Sequence, residues 1–273
     1  MNDSLELGPK LLPEIPSVIL RFRLYQCGIL EDVSQAFQQI TLDPADRDLT
    51  RFLWYRVEPN NQGSYYTTDD VITYRFTRRP FGLTCSPFLL SATIRTLATM
   101  YHDTYPTACA LIDKSTYMED FASSVAHDND IVTIFFEVTS LVNTIHLPMC
   151  KWATNTTHLR DIWWTQGLPL QTETQVLGID CDTQSETIHI DHTDITRALP
   201  ERPATKRHVL QVTSSFYDPL GMLSPVAIIG KLISQDTWTE GLAWNEILPQ
   251  DIAAKWLSWT SQLQLFSDLH VPR

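Results

Sequence analysis

The chain has 273 residues, 43% hydrophobic and 19% charged, with a formal net charge of −12 and a pI near 5.0. That length allows one large domain or two small ones with a sizeable core. No apolar run reaches the roughly 20 residues of a membrane span, so no membrane partner is expected. The opening MNDSLELGPK lacks the basic start and apolar block of a signal peptide. Five cysteines (Cys27, Cys85, Cys109, Cys150 and Cys181) are scattered singly. This points to a reducing, cytoplasmic setting and against a disulfide framework or a zinc knuckle. The acidic balance weighs against a broad basic face of the kind that binds nucleic acid.

The first block ends in PSVILRFRLY, which predicts a helix capped by Ser17 with Val18, Ile19 and Leu20 facing inward. CGILEDVSQAFQQITL reads as a strand-like run, and DPADRD as a polar turn. TRFLWYRV and VITYRFTRRPFG, rich in aromatic and β-branched residues, flank the turn signal NNQGS and predict a hairpin. Ser86-Pro87 opens a helix, serine as the cap and proline in the first helical position. Glu119 and Asp120 lie between two β-like runs, STYM and FASSV. DNDIVTIFFEVTSLVNTIH places Ile131, Ile134, Phe135, Val138, Leu141, Val142 and Ile145 on one helical face. KWATNTTHLRDIWWTQGLPL and TQVLGIDCDTQSETIHI both read as β-rich. His189 and His192 have ligand-like spacing but read as exposed strand residues, since no second cluster completes a zinc site. The proline- and charge-rich RALPERPATKR marks a boundary, and beyond it the chain is tryptophan-rich and helical. The order predicts an α+β domain followed by a helical one.

Two-metal nucleotidyl transfer needs carboxylates that converge on divalent ions about 4 Å apart. One aspartate at a strand end and an acidic pair at a hairpin turn can build such a site. Asp32 and the pair Glu119–Asp120 have those positions, although an acidic pair between strands is by itself an ordinary solvated turn.

YMED at Tyr117 to Asp120 resembles the Y-x-D-D box of reverse transcriptases. DVSQAF at Asp32 to Phe37 resembles their first aspartate motif, RRPFGLTCSPFLL their Pro-x-Gly…Ser-Pro segment, and QVLGID their Leu-Gly element. With NDSLELGPKLLPEIPSVILRFR, DRDLTRFLWYRV and VTSSFYDPLGMLSPVAIIGKLISQDTWTEGLAWNEILP, the resemblance narrows to BEL/Pao-type retrotransposons and runs from about residue 2 to residue 273. It implies a right-hand polymerase palm with partial fingers over residues 1–195, then a mainly helical thumb- or connection-like module over 196–273. It implies RNA-directed DNA synthesis with two Mg²⁺ or Mn²⁺ ions, held by Asp32, Glu119 and Asp120. Gln35, Ala36, Phe37, Phe81 and Gly82 would shape the nucleotide pocket, with Phe37 excluding a ribose 2′-hydroxyl. Phe81 stands where retroviral enzymes carry glutamine. The partners implied are an RNA/DNA primer-template, deoxynucleoside triphosphates and other parts of the element polyprotein. An intact element would assemble a virus-like particle.

Two departures bear on activity. The family pattern has aspartate where this chain has Glu119; the extra methylene moves a carboxylate by about 1 to 1.5 Å. Only 31 residues precede Asp32, too few for the basic hairpin that grips the triphosphate in related enzymes. Arg51, Arg75, Arg78 and Arg79 are the remaining basic candidates. No RNase H or integrase segment is recognised. The competing readings are a catalytically inactive element-derived protein and an aspartic peptidase. The late region resembles a stretch labelled as a Pao-type peptidase. The chain has DTQ at Asp182 and DTW at Asp236, with no Asp-Thr-Gly or Asp-Ser-Gly loop.

Overall fold

Strand β1 (Cys27–Asp32) lies at the centre of the chain's main sheet. A computed structural model describes residues 2–33, 36–147, 149, 151–189, 204–263, 265 and 270–273. Gln35, Cys150, His192 and the predicted boundary at 195/196 lie outside these. β1 pairs antiparallel with β5 (Asp120–Val125) on one side and β6 (Ala153–Thr154) on the other. The two-residue β4 (Thr116–Tyr117) completes the order β4-β5-β1-β6.

The sheet is covered on both faces, and its alternation shows it. Cys27, Ile29 and Phe121 join a core made by α3 (Ser86–Met100), α4 (Pro106–Ser115), α5 (Asp128–Asn143) and α6 (Thr157–Gln166). Leu30, Ala122 and Ala153 face the other way. They pack against α1 (Ile15–Phe22) and a second antiparallel sheet of β7 (Glu173–Val176), β8 (Ile179–Asp182), β9 (Thr187–His189) and β10 (His270–Pro272). Period-2 burial on two faces is what a covered sheet requires.

The predicted hairpin forms as β2 (Arg51–Pro59) and β3 (Tyr65–Arg75), with Asn60 Oδ1 accepting from the Gln62 and Ser64 N–H groups in the turn. Six of the seven residues predicted on one face of α5 are fully buried, and Ile145 packs on their margin. Among the described residues of the late region, α7 (Lys206–Ser214), α8 (Ser224–Thr239) and α9 (Gln250–Thr260) enclose their own core of Val209, Val212, Ile233, Ile252, Trp256 and Trp259. No helix among the described residues is long and apolar enough to cross a membrane.

Several local expectations are corrected. Ser17 lies inside α1, whose first turn starts with Ile15 and Pro16, and Leu20 is exposed while Phe22 takes the inward position. The strand expected to run to residue 42 ends at Asp32, and a short helix α2 (Ala36–Gln39) follows it. The stretch 151–170 is mainly the helix α6. The strand read over 71–82 is β3, which ends at Arg75. Ser86 begins α3 rather than capping it.

Candidate active site

The register of the central sheet puts Asp32 directly opposite Asp120. The connection from β4 to β5 is a two-residue turn, since Tyr117 pairs with Asp120. Met118 there has φ 53°, a region that non-glycine residues rarely adopt. Glu119 O accepts a hydrogen bond of 2.8 Å from the Val33 N–H, which ties the turn to the end of β1. Asp32, Glu119 and Asp120 therefore share one end of the sheet.

Their electrostatics differ. Asp120 is pushed up to about 6, first by burial, then by the charges of Asp32 and Glu119. Glu119 is raised too, again mainly by burial. The Phe37 and Ala36 N–H groups at the start of α2 act against that shift, and its Oε1 is buried without a hydrogen-bond partner. Asp32 accepts from Lys151 Nζ at 2.5 Å. Lys151 was not singled out in the sequence. Met149 bridges Val33 and Ala153 pairs with Leu30, so the segment between them runs beside β1 and brings the lysine to Asp32. Its only sequence signal is a lone cation before a tryptophan in an apolar stretch.

Like charges crowded at a strand end, with a raised carboxyl between them, are the state a divalent cation would relieve. Asp32 and Asp120 fit that demand. Among the described residues no group of three or more histidine, cysteine or acidic side chains is placed to hold a metal. A two-carboxylate site suits magnesium, which takes its remaining ligands from water and phosphates.

Of the pocket residues, Phe37 and Phe81 come together edge to face, ring centroids 6.0 Å apart. Phe37 is half-buried on α2 and Phe81 is exposed. Gly82 has φ 81°, with open space where a Cβ would stand, and its carbonyl accepts from the Asn2 amide. Ala36 is fully buried. Beside Phe81 opens a cavity of about 790 Å³, lined also by Gln38, Gln39, Phe52, Arg51 and Arg78.

The basic candidates are not free. Arg51 and Arg75 both clamp Asp48, at 2.8 and 2.9 Å, and hold its carboxyl below the usual range. Arg78 Nη1 donates to the Gln39 carbonyl. Arg79 is fully buried. The two peptidase candidates are each engaged elsewhere: Asp182 accepts from Ser185 Oγ, and Asp236 pairs with Lys255. His189 is half-buried rather than exposed and meets His270, Nδ1 to Nδ1, at 2.6 Å.

Residues 205–273 match the family described as Pao retrotransposon-like RNaseH-like domain. That match covers the last quarter of the chain. The Pao description speaks of an RNaseH-like domain, which overturns the expectation that no such segment is present and replaces the peptidase label. The described residues of the Pao segment form three helices and the three-residue β10. No curated protein matches the chain in sequence. Among solved structures, the chain is similar to a foamy viral protease-reverse transcriptase dRH in complex with ds DNA, at 14% identity and TM-score 0.59. That match covers 97% of this chain and 40% of that one. A second similar structure is a foamy viral protease-reverse transcriptase in complex with RNA/DNA hybrid, at 13% identity and TM-score 0.60, covering 96% of this chain and 30% of that one. The chain thus shares the mixed α/β fold of part of these proteins and spans well under half of their length. The family match over residues 205–273 and this likeness of fold together support a Pao-type retrotransposon polyprotein fragment.

Proposed function

We propose that the chain is the core of an RNA-directed DNA polymerase. Residues 1–195 would form the palm and partial fingers, and residues 196–273 a thumb- or connection-like module. The observation that carries this reading is the cross-strand pairing of Asp32 with Asp120 at the end of the sheet where Phe37 and Phe81 converge. Asp32 and Asp120 would hold Mg²⁺ or Mn²⁺. Two such ions would lower the pKa of a primer 3′-hydroxyl and neutralise the charge of the triphosphate and leaving pyrophosphate.

The chain's own residues supply position and selection. The Met118–Glu119 turn carries the acidic pair, Lys151 balances Asp32, and the Phe37 ring would lie under the sugar of an incoming nucleotide, where a 2′-hydroxyl would clash. The edge-to-face packing of Phe37 on Phe81 holds that ring in place. The foamy viral relatives were captured on duplex DNA and on RNA/DNA hybrid; an RNA/DNA primer-template is the partner proposed here. Contact would be to the sugar-phosphate backbone, which lets any sequence pass.

Electron paramagnetic resonance titration with Mn²⁺ tests the metal centre. The wild-type chain is expected to bind Mn²⁺. Asp32→Asn and Asp120→Asn are each expected to weaken binding by an order of magnitude or more. Binding that is unchanged in both variants contradicts the assignment.

A further inference from the structure

The second sheet turns Cys181, Ile188 and Val271 into the core, so strand alternation puts Asp180, His189 and His270 on its outer face. His189 on β9 and His270 on β10 are directly opposite each other in the register. Their rings meet edge to face with centroids 4.4 Å apart and Nδ1 to Nδ1 at 2.6 Å. Two imidazole nitrogens can approach in this way only if one donates and the other accepts.

A chain of hydrogen bonds fixes which does so. Ser185 Oγ donates to Asp182 Oδ2 at 2.7 Å. A hydroxyl has one hydrogen, so Ser185 Oγ accepts from Thr187 Oγ1, at 2.7 Å. Thr187 has then used its own hydrogen and accepts from His189 Nε2, at 3.0 Å. Neutral His189 therefore carries its hydrogen on Nε2 and turns the Nδ1 lone pair towards β10. His270 Nδ1 is the donor, and its Nε2 is left to take up a proton. Bonds from Ser185 and the Gln184 N–H hold the Asp182 carboxyl below the usual range, so the chain keeps its anchor in mild acid.

Proton uptake by the pair thus has an order. A first proton on His270 Nε2 leaves the Nδ1–H···Nδ1 bond intact. A second can enter only at His189 Nδ1, where it sets two N–H groups and two positive charges against each other. Among the described residues, the outer face around the pair is acidic. Asp180 stands opposite His189 on β8, with Asp182 and Glu173 paired one step along the same face. Arg273 at the end of β10 donates to the carbonyls of Phe22, Tyr25 and Gln26 and also meets Glu186, while Arg23 after α1 donates to the Pro272 carbonyl.

We propose that the His189–His270 contact is a proton-operated latch on β10, closed with at most one added proton on the pair and opened by a second. The open form binds the extra proton, so acid favours opening and a rise in pH favours closure. Imidazoles take up protons between about pH 8 and 5, the range in which the latch would work. β10 carries the end of the segment 205–273 back onto the second sheet, and opening would loosen that return.

The test is ¹⁵N NMR on the full chain. At pH 7.5 the imidazole signals are expected to show hydrogen on Nε2 of His189 and on Nδ1 of His270. The Arg273 backbone N–H donates to the Glu186 carbonyl and reports on β10. Its exchange protection, corrected for the intrinsic effect of pH, is expected to fall at least about tenfold from pH 7.5 to pH 5. In His270→Gln the side-chain amide can turn to donate or accept, and protection is expected to change less than about twofold over the same range. The opposite tautomers, protection in the wild type that does not change with pH, or an equal loss in His270→Gln would each overturn the latch. None of these readouts involves a metal, a nucleotide or a primer, so they stand apart from the polymerase reading.

Discussion

Asp120 holds its proton to a higher pH than a free aspartate because burial comes first and the charges of Asp32 and Glu119 add to it. The folded chain therefore binds that proton more tightly than the unfolded chain between about pH 4 and about 6. By linkage, the contribution of Asp120 to metal-free stability falls as pH rises through that window. A divalent cation competes with the same proton, so its affinity is expected to rise over the same window. Calorimetric Mn²⁺ titrations should show binding several-fold tighter at pH 7.5 than at pH 5.5 in the wild type, and no such gain in Asp120→Asn. At this scale the acidic motif was legible because YMED and DVSQAF are local strings. Lys151 was not, because its partner lies 119 positions away and only the sheet register brings them together. The burial of Arg79 was equally hidden, because adjacent arginines before a turn signal a basic surface and not a buried side chain.

Helix α6 shows where element-level reading failed and why. Its threonines and tryptophans favour strands in isolation, yet Leu159 and Trp163, one helical turn apart, are both buried against the α5 core. Thr156 at its start and Gly167 in the left-handed conformation at its end were the available boundary signals. By contrast, α5 and the β2–β3 hairpin were legible because their periodicity and turn residues agree with their final environment. Packing within the late helices sets a further test. A Cβ on Gly230 of α8 would lie 2.5 Å from the Trp259 ring of α9 and 2.8 Å from Thr213 of α7. Gly230→Ala is expected to cost about 1–3 kcal/mol through overpacking, despite its gain in helix propensity. Chemical denaturation measures it, and a stabilised variant would mean that these helices are not packed so closely.

Over the whole molecule, the late region is tied back to the second sheet and to the end of α1. Tyr217 Oη donates to the Leu177 carbonyl at 2.6 Å in the tight turn between β7 and β8. β10 adds to the second sheet, and the Arg273 guanidinium, its side chain 2% exposed, donates to the carbonyls of Phe22, Tyr25 and Gln26 at the end of α1. Arg273→Ala is expected to destabilise the folded chain by about 2–4 kcal/mol, since charge-assisted hydrogen bonds are each worth about 1.5–3 kcal/mol and do not add fully. Equilibrium unfolding in urea reads this directly. Such long-range ties carry no local sequence signature, so the sequence was divided into two modules at 195/196 with no sign of these contacts between them. The most direct test of the proposed function is primer extension on an RNA template with Mn²⁺, comparing the wild type, Glu119→Asp, and Asp32→Ala in the Glu119→Asp background. Glu119→Asp is expected to extend the primer and Asp32→Ala to abolish it. The wild type is expected to extend the primer as well, because the proposed metal ligands Asp32 and Asp120 are the same in both chains. A folded Glu119→Asp chain that binds the hybrid duplex and still adds no nucleotide would contradict the polymerase assignment.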